Sequence, residues 1–175
     1  MFAAGFQFAW LRASAVLLAA ALVFAYGPAF AQSDGSAQKA RLIDLWQPGD
    51  TGPRMNIRGR VTSLDGTPLA NIQISIRQAN GDGDYTERYR TTLTTDDKGR
   101  FQFGSAVPGN YMGAKHVHVT VYQGGWEYFD TSILFMGDPN LDEHYEDGTP
   151  IFLEESTGNG ETIMFGRFDI VLTPE

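Results

Sequence analysis

Apolar and polar residues alternate along most of the chain from Met55 onward. In "NIQISIRQ", Ile72, Ile74 and Ile76 occupy every second position, and polar residues stand between them. A period of two is typical of a β-strand that buries one face. The same pattern predicts further strands at "MNIRGRVTS", "RYRTTLTTD", "RFQFGS", "HVHVTVYQ", "YFDTSILFMG" and "MFGRFDIVL".

Turn residues separate these segments at roughly the 8 to 12 residue spacing of sandwich proteins, and no helical pattern of useful length occurs. We therefore predict an all-β fold, an antiparallel β-sandwich with long irregular loops. The longest such loop is predicted at residues 137–162, "GDPNLDEHYEDGTPIFLEESTGNGET". A loop of this length is more often the wall or lid of a site than idle surface.

The residues before this pattern divide into two segments. Residues 1–31 carry Arg12, then an apolar run, then the small-residue sequence "AFA", which predicts a signal peptide cleaved after Ala31 and a secreted or periplasmic protein. No integral membrane span would remain after cleavage; an uncleaved anchor is the alternative. Residues 32–54 predict a polar arm, with one helical turn at "ARLIDLW", and residues 55–175 form the predicted sandwich domain.

Composition narrows the range of partners. The chain has no cysteine, so the fold depends on its own core. Its formal charge is −8, and removal of residues 1–31, in which Arg12 is the one charged residue, makes it more negative still. An acidic protein lacks the positive footprint that nucleic acids and anionic membranes require. A small neutral or apolar substrate is the expectation from charge alone.

The pair His116 and His118 is the first candidate site. Alternate residues of a strand share a face, so both imidazoles point the same way, about 7 Å apart along the strand, while Val117 faces the core. Two such imidazoles can bind one metal ion, although polar residues on the wet face of a strand explain the same pattern. The remaining histidine, His144, makes a three-histidine zinc site a further candidate.

Tyrosines offer another set of ligands. A phenolate is a hard oxygen donor that suits Fe(III), and a bound metal ion removes a proton that a free phenol holds to about pH 10. Tyr111 follows the "PGN" turn just before the histidine pair, and Tyr85 follows "NGDGD". Most single tyrosines are core or rim aromatics. A cupin-type site is not indicated, because the first acid after His118 is Glu127.

The order of several motifs resembles one family. "GRVTSLDGTPLANIQISIRQANGDGDY", "TTDDKGRFQF", "VPGNY", "HVH", "FMGDP" and "RFDIVL" follow one another as in the intradiol ring-cleavage dioxygenases, the group of protocatechuate 3,4-dioxygenase and catechol 1,2-dioxygenase. The resemblance runs from about Pro53 to Leu172. It implies a β-sandwich that holds one non-haem Fe(III) through two tyrosines and two histidines. These fall on Tyr85, Tyr111, His116 and His118, with Tyr89 as a nearby competitor for Tyr85.

The resemblance also implies an activity. It predicts cleavage of a catechol-type aromatic ring by O₂ between its two hydroxylated carbons, giving a muconate-type diacid, with Tyr85 and Tyr111 as catalytic residues. Association into a homo-oligomer is a further implication, for which the arm at residues 32–54 is available. The alternative is a non-catalytic exported binding module of the transthyretin-like or carboxypeptidase-regulatory-like type, which shares the motifs up to Tyr111.

Three positions depart from the family pattern. Gly113 stands where the family has an arginine, three residues before the first histidine, Ser132 stands at the position of an active-site glutamine, and Arg77 replaces a tryptophan. A preorganised charged donor often raises the catalytic rate by about 10²- to 10³-fold, so the absence of that arginine is expected to lower the rate unless another cation replaces it. Arg88 and Arg90 are candidate substitutes; strand alternation turns Lys115 away from the histidines.

Overall fold

The computed structural model describes residues 40–111, 113–141 and 148–173. The chain divides into two units, Met1–Asp34 and Gly35–Glu175, and every described residue belongs to the second unit. The predicted signal peptide and His144 therefore lie outside the described residues. Within the described ranges, no helix is long and apolar enough to cross a membrane.

Eleven strands occur in the described residues. They are β1 (Ile43–Asp44), β2 (Arg54–Ser63), β3 (Gln73–Ala79), β4 (Tyr85–Thr94), β5 (Arg100–Ala106), β6 (His116–Gln123), β7 (Trp126–Phe135), β8 (Gly148–Ile151), β9 (Leu153–Gly158), β10 (Glu161–Arg167) and β11 (Ile170–Leu172). Each segment with alternating polarity has become a strand, and the last one is divided between β10 and β11.

The strands form two sheets around one core. One sheet has the order β1-β5-β2-β10-β9, with β11 also paired to β2, and the other has the order β4-β3-β6-β7-β8. Ile57 and Phe103 of the first sheet and Ile74, Val117 and Ile133 of the second belong to the same buried cluster. The predicted all-β sandwich is confirmed.

The sheets are mixed, which differs from the purely antiparallel arrangement that we predicted. Strands β10 and β11 run parallel to β2, β8 runs parallel to β7, and β1 runs parallel to β5. Parallel neighbours need a crossover connection, which a chain with long segments between its strands supplies. Alternation identifies the buried face of a strand but carries no information about the direction of its neighbour.

Two predicted segments have a different local structure. In "ARLIDLW", the expected helical turn is replaced by strand β1, and Ile43 and Leu45 pack against the core. The predicted loop at residues 137–162 contains β8, β9 and the beginning of β10. Pairing with a distant strand, β5 in the first case and β7 and β10 in the second, stabilises the extended backbone.

Strand β6 places the histidine pair on the outer face of its sheet. Val117, Val119 and Val121 are 0%, 1% and 0% exposed and face the core, so His116 and His118 face outward as the alternation predicted. β6 lies between β3 and β7. The site is therefore built on a central strand, where neighbours on both sides restrict the backbone.

Candidate metal centre

The two histidines of β6 bring their ring nitrogens together. Nε2 of His116 lies 3.1 Å from Nε2 of His118, and the two rings are nearly perpendicular, with centroids 4.6 Å apart. Both side chains are partly buried. The sequence predicted that they share a face, and the structure adds that both Nε2 atoms point to one place.

Tyr85 of β4 reaches the same place. Its hydroxyl oxygen lies 3.2 Å from Nε2 of His116 and 3.1 Å from Nε2 of His118. One phenol oxygen and two imidazole nitrogens thus form a triangle with almost equal sides. Donor atoms around a single metal ion, each about 2 Å from it, lie roughly 3 Å from one another.

An irregularity in the pairing of β3 with β4 turns Tyr85 toward the histidines. Arg77 pairs with Arg90, but Ala79 pairs with Tyr85, so between these two pairs one residue of β3 lies opposite four residues of β4. Such a bulge changes which side chains face outward. Strict alternation along β4 would place Tyr85 and Arg90 on opposite faces, whereas the bulge allows both to face outward.

The turn before Tyr85 is held by one side chain. Oδ1 of Asn80 accepts hydrogen bonds from the backbone N–H groups of Asp82 and Asp84, at 3.0 and 2.8 Å. The Asn80 backbone N–H donates to the carbonyl of Asp84, and its own carbonyl accepts from Gly83 and Gly109. Asparagine favours turns because its side chain can bind the backbone two residues later. The turn therefore fixes where β4 begins.

Tyr111 is brought to Tyr85 by the contact between two turns. Gly83 has φ +94°, and a Cβ there would lie 2.5 Å from the carbonyl oxygen of Asn110; a Cβ at Gly109 would lie 2.5 Å from that of Gly81. The two turns can approach this closely because both positions are glycine. The rings of Tyr85 and Tyr111 meet edge to face, with centroids 5.1 Å apart, and Tyr111 is 47% exposed.

The tautomer of His116 follows from its second nitrogen. Nδ1 lies 2.8 Å from the carbonyl oxygen of Ala114. A carbonyl can only accept, so Nδ1 carries the proton and Nε2 presents its lone pair. Asp138, in the "GDP" motif, accepts a hydrogen bond from the backbone N–H of Lys115 at 3.0 Å. These two contacts hold the segment that leads into His116, and such outer contacts orient metal-binding histidines.

The triangle of donors fits a cation better than it fits hydrogen bonds. Three close contacts join the three atoms, but with neutral histidines only Tyr85 and His118 can supply a proton, because Nε2 of His116 has none. Two protons can serve only two of the three contacts, so at least one contact would have no proton between its two atoms. A metal ion satisfies all three at once, and a phenolate with two imidazoles is a donor set that suits iron. The residues fit the Fe(III) that the resemblance implies.

Burial and nearby positive charge favour a neutral imidazole at His118. Burial lowers the pKa of His118, and the nearby His116 and Arg77 lower it further, whereas Asp130 acts to raise it. A neutral imidazole is the form that binds metals. Among the described residues, no group of three His, Cys, Asp or Glu side chains is placed to hold a metal, so the donor set depends on tyrosine.

The cations considered from the sequence occupy different places. Arg88 binds Asp50 through two contacts of 2.7 Å and also donates to the carbonyl of Leu45. Arg90 lies in a groove that His118 also lines. Arg77 was missed as a site residue, yet its guanidinium carbon lies 4.7 Å from the centroid of the Tyr85 ring. Its pairing with His118 across β3 and β6 places it at the site, and that pairing is known only from the structure.

The positions that depart from the family pattern surround His118. On β7, Ser132 pairs with His118 and is 9% exposed; on β3, Arg77 pairs with His118 from the other side. Residues paired across strands share a face, so both belong to the site. Gly113 has φ +143°, and a Cβ there would meet no atom within 4 Å.

Comparison with known proteins identifies the family. A sequence profile of the family described as "Dioxygenase" matches residues 25–174. The chain belongs to the intradiol ring-cleavage dioxygenases. A catechol 1,2-dioxygenase of Acinetobacter lwoffii is 32% identical over an alignment of 136 residues, and the match covers 62% of this chain and 47% of that protein. A protocatechuate 3,4-dioxygenase beta chain of Burkholderia cepacia is 27% identical over 69% of this chain and 65% of that protein.

Solved structures of dioxygenases share the fold. The dioxygenase domain of a dioxygenase and carbohydrate-binding fusion protein from Streptomyces sp. SirexAA-E has a TM-score of 0.61 and 23% identity, over 81% of this chain and 96% of that domain. This chain spans about half the length of several curated relatives, for example 47% of the catechol 1,2-dioxygenase and 44% of a 6-chlorohydroxyquinol 1,2-dioxygenase of Cupriavidus pinatubonensis. The comparisons do not favour the non-catalytic binding module.

Proposed function

We propose that this intradiol dioxygenase is an Fe(III)-dependent enzyme that cleaves a catechol-type ring with O₂ and releases a muconate-type diacid. The observation that carries the proposal is the triangle of Tyr85, His116 and His118, whose donor atoms are 3.1–3.2 Å apart. Tyr111 is the proposed fourth ligand, since its ring packs against Tyr85. Relatives named as catechol and chlorocatechol dioxygenases support the substrate class.

In this proposal, Tyr85, Tyr111, His116 and His118 would hold the iron, which would supply a Lewis acid that activates a catechol-type ring toward O₂. The residues of the chain hold and orient the parts of the site. The hydrogen bond from Nδ1 of His116 to Ala114 keeps Nε2 unprotonated. The lowered pKa of His118 acts in the same direction. The phenol oxygens of Tyr85 and Tyr111 would be deprotonated as iron ligands, and either oxygen would then be able to accept a proton from an incoming catechol.

The predicted signal peptide at residues 1–31 supports a further proposal, that the enzyme acts outside the cytoplasm. Export would place a substrate and O₂ in reach without import of the aromatic compound. Export is tested by fractionation of cells that express the full-length chain with a C-terminal tag. The tag shows which fraction holds the protein, and sequencing of the mature N-terminus shows whether residues 1–31 have been removed. A chain that retains residues 1–31 in the cytoplasmic fraction would contradict it.

The enzymatic proposal has a direct test. The protein is purified, its metal content is measured, and its visible spectrum is recorded for the charge-transfer band of an Fe(III)-tyrosinate. We expect a coloured protein with about one iron per chain that consumes O₂ when catechol is added and forms a diacid that mass spectrometry detects. A protein that stays colourless and free of iron after anaerobic loading with iron and exposure to air would overturn the proposal.

A further inference from the structure

Four arginines lie together on the outer face of the six-stranded sheet, the sheet that does not carry the metal-binding residues. The members of this arginine cluster are Arg58 and Arg60 of β2, Arg100 of β5 and Arg167 of β10. Ile57 and Val61 of β2 are 0% exposed, so the two arginines of β2 face away from the core. The cluster lines a depression of about 560 Å³, a volume that suits a small molecule.

The pairing of the strands sets arginine opposite arginine twice. Arg58 pairs with Arg167 across β2 and β10, and Arg60 pairs with Arg100 across β2 and β5. Side chains paired in this way have Cβ atoms about 5 Å apart, and like charges at that distance destabilise a sheet. Arg58 and Arg60 are themselves about 7 Å apart along β2. An anion bound among the guanidinium groups would relieve this repulsion.

Two of the four arginines are held by aspartates along one edge. Arg100 binds Oδ2 of Asp96 through Nε and Nη2, at 2.8 and 2.7 Å. Arg167 binds Oδ2 of Asp169 through the same two nitrogens, both at 2.7 Å. Within the described residues, Nη1 of these two arginines makes no hydrogen bond. A planar guanidinium held in this way can bind a second anion through its other edge.

Both aspartates are also bound to the backbone, so they are not free to serve the other two arginines. Oδ1 of Asp169 accepts a hydrogen bond from the Arg60 N–H at 3.0 Å, and Oδ1 of Asp96 accepts one from the Lys98 N–H at 2.9 Å. In the part of the chain that the structure describes, no carboxylate forms an ion pair with Arg58 or Arg60. Four arginines and two aspartates leave a net charge of +2 here, whereas the whole chain has −8.

The backbone around the cluster is fixed by close contacts. Ala40 lines the depression; its N–H donates to Oδ2 of Asp96 at 3.0 Å, and its carbonyl accepts from Nε2 of Gln102 at 3.1 Å. A Cβ at Gly59 would overlap the carbonyl oxygen of Phe168. Glycine therefore lets the link between β10 and β11 lie directly against β2. The arginines project from paired strands, which hold their positions better than a loop would.

The acidic surroundings limit the size of a ligand. Glu154 of β9 lines an adjoining depression, which Arg58 and Arg167 also line. A large polyanion, such as a nucleic acid or an anionic membrane, would extend beyond the cluster and meet the negative charge of the rest of the chain. A small anion stays within the positive region. Charge and volume together therefore favour a small ligand.

We propose that the arginine cluster is a binding site for a small anion with at least two negatively charged oxygens, a dicarboxylate or a phosphate. Arg58 and Arg60 neutralise the anion, and Arg100 and Arg167 contact it through the free edges of their guanidinium groups. Guanidinium groups match carboxylates and phosphates through parallel N–H groups. The site is on the other sheet from Tyr85, so the inference does not depend on the proposed function.

The test is a titration of the ¹⁵N-labelled, purified protein with succinate, inorganic phosphate and acetate, followed by NMR in a buffer of low ionic strength without added metal. We expect succinate, phosphate or both to bind at least about fivefold more tightly than acetate, which carries one charge. The amide resonances of β2, β5 and β10 should shift, and added NaCl should weaken binding. Binding of succinate alone identifies a dicarboxylate site, and binding of phosphate alone identifies a phosphate site.

Four variants test the assignment. Arg58→Gln and Arg60→Gln should each weaken binding at least about threefold, since each removes one partly screened charge contact. Glu154→Gln should strengthen binding, because it removes a negative charge beside the cluster. The matched control is Arg90→Gln, which removes an arginine that is 57% exposed on the other sheet and should leave binding unchanged. If one arginine variant does not fold, the other and Glu154→Gln decide.

Three results would overturn the inference. The first is an affinity for succinate and phosphate no greater than that for acetate. The second is binding that both Arg58→Gln and Arg60→Gln retain in full. The third is a set of resonance shifts confined to β6 and to the turn before Tyr85, which would place the anion at the candidate metal centre instead. Because the titration needs no iron, each of these results leaves the proposed function unaffected.

Discussion

The hydroxyl of Tyr85 lies 3.1 Å from Nε2 of His118, although the two residues are 33 positions apart and β3 separates their strands in the sheet. Nothing in the alternation of either strand requires this contact. It depends on the bulge between β3 and β4 and on the turn that Asn80 holds. Residues that are not themselves donors therefore decide whether a metal centre can form.

Replacement of Tyr85 by phenylalanine is expected to remove one donor and leave the ring in place. In the iron-loaded protein, the tyrosinate charge-transfer band should lose intensity or shift, and the affinity for iron should fall at least about tenfold, since even outer-shell changes have effects of this size. Visible spectroscopy during iron titration measures both. The control is Tyr89→Phe on the same strand, since Tyr89 is 3% exposed and its ring contacts Arg88 instead.

An unchanged band in Tyr85→Phe would contradict the assignment of Tyr85 as a ligand. A band lost in Tyr89→Phe and kept in Tyr85→Phe would transfer the role to Tyr89, the competitor that the sequence left open. Circular dichroism of both variants shows whether the fold is retained.

Replacement of Tyr111 by phenylalanine tests the ligand that the structure supports less directly. The ring lies edge to face with Tyr85, and 47% of the residue is exposed. We expect a shift of the charge-transfer band in the iron-loaded protein, because a second phenolate is lost. Stability should change little, because the substitution removes only the hydroxyl group and keeps the ring and its packing. A spectrum identical to that of the unsubstituted protein would limit Tyr111 to packing. Tyr122→Phe, on the outer face of β6, is the matched control.

The fold and the site differ in how far the sequence determines them. Alternation predicted the core face of β6, because Val117 and Val119 can be buried only if His116 and His118 face outward. It could not predict the parallel pairing of β7 with β8, because side-chain polarity does not record the direction of a neighbour. Single-chain patterns identify what a strand buries, and the pairing of strands depends on contacts between distant segments.

The site residues also divide into those that the sequence predicted and those that depend on how distant strands pair. His116 and His118 were predicted from spacing within one strand, and Tyr85 and Tyr111 from resemblance to a family. The sequence identified Arg77 only as a departure from the family pattern. Its contact with Tyr85 could not be predicted, because it arises across a bulge whose position no local pattern reveals. The charge of the arginine cluster on the other sheet depends on which arginines lack acidic partners, and that is known only once the strands are paired.

Asn80→Ala is expected to affect the metal centre from outside it. The change removes the acceptor for the backbone N–H groups of Asp82 and Asp84 and should destabilise the turn by about 1–2 kcal/mol. Since Tyr85 follows this turn directly, the affinity for iron should fall as well, and thermal unfolding with and without iron measures both effects. Asn80→Asp keeps an oxygen that can accept both hydrogen bonds and should behave like the unsubstituted protein. A loss of iron affinity as large in Asn80→Asp as in Asn80→Ala would contradict this role.

Asp96 should make the stability of the fold depend on pH under acidic conditions. Burial acts to raise the pKa of Asp96, but hydrogen bonds from the Arg100 side chain and from three backbone N–H groups outweigh it and lower the pKa to about 2, from an ordinary value of 3.8. A carboxyl group whose pKa is lower in the folded protein stabilises the fold above its unfolded pKa and loses that contribution as it becomes protonated.

The stabilisation should therefore be complete above about pH 5 and decrease between about pH 4 and pH 2, by about 2 kcal/mol in total. Asp96→Asn should lower the free energy of unfolding at pH 7 and flatten its decrease over this range, as measured by urea denaturation at a series of pH values. The matched control is Asp97→Asn, which changes the adjacent, exposed carboxyl group. A decrease between pH 4 and pH 2 that is equally steep in Asp96→Asn and in the unsubstituted protein would assign the acid sensitivity to other carboxyl groups.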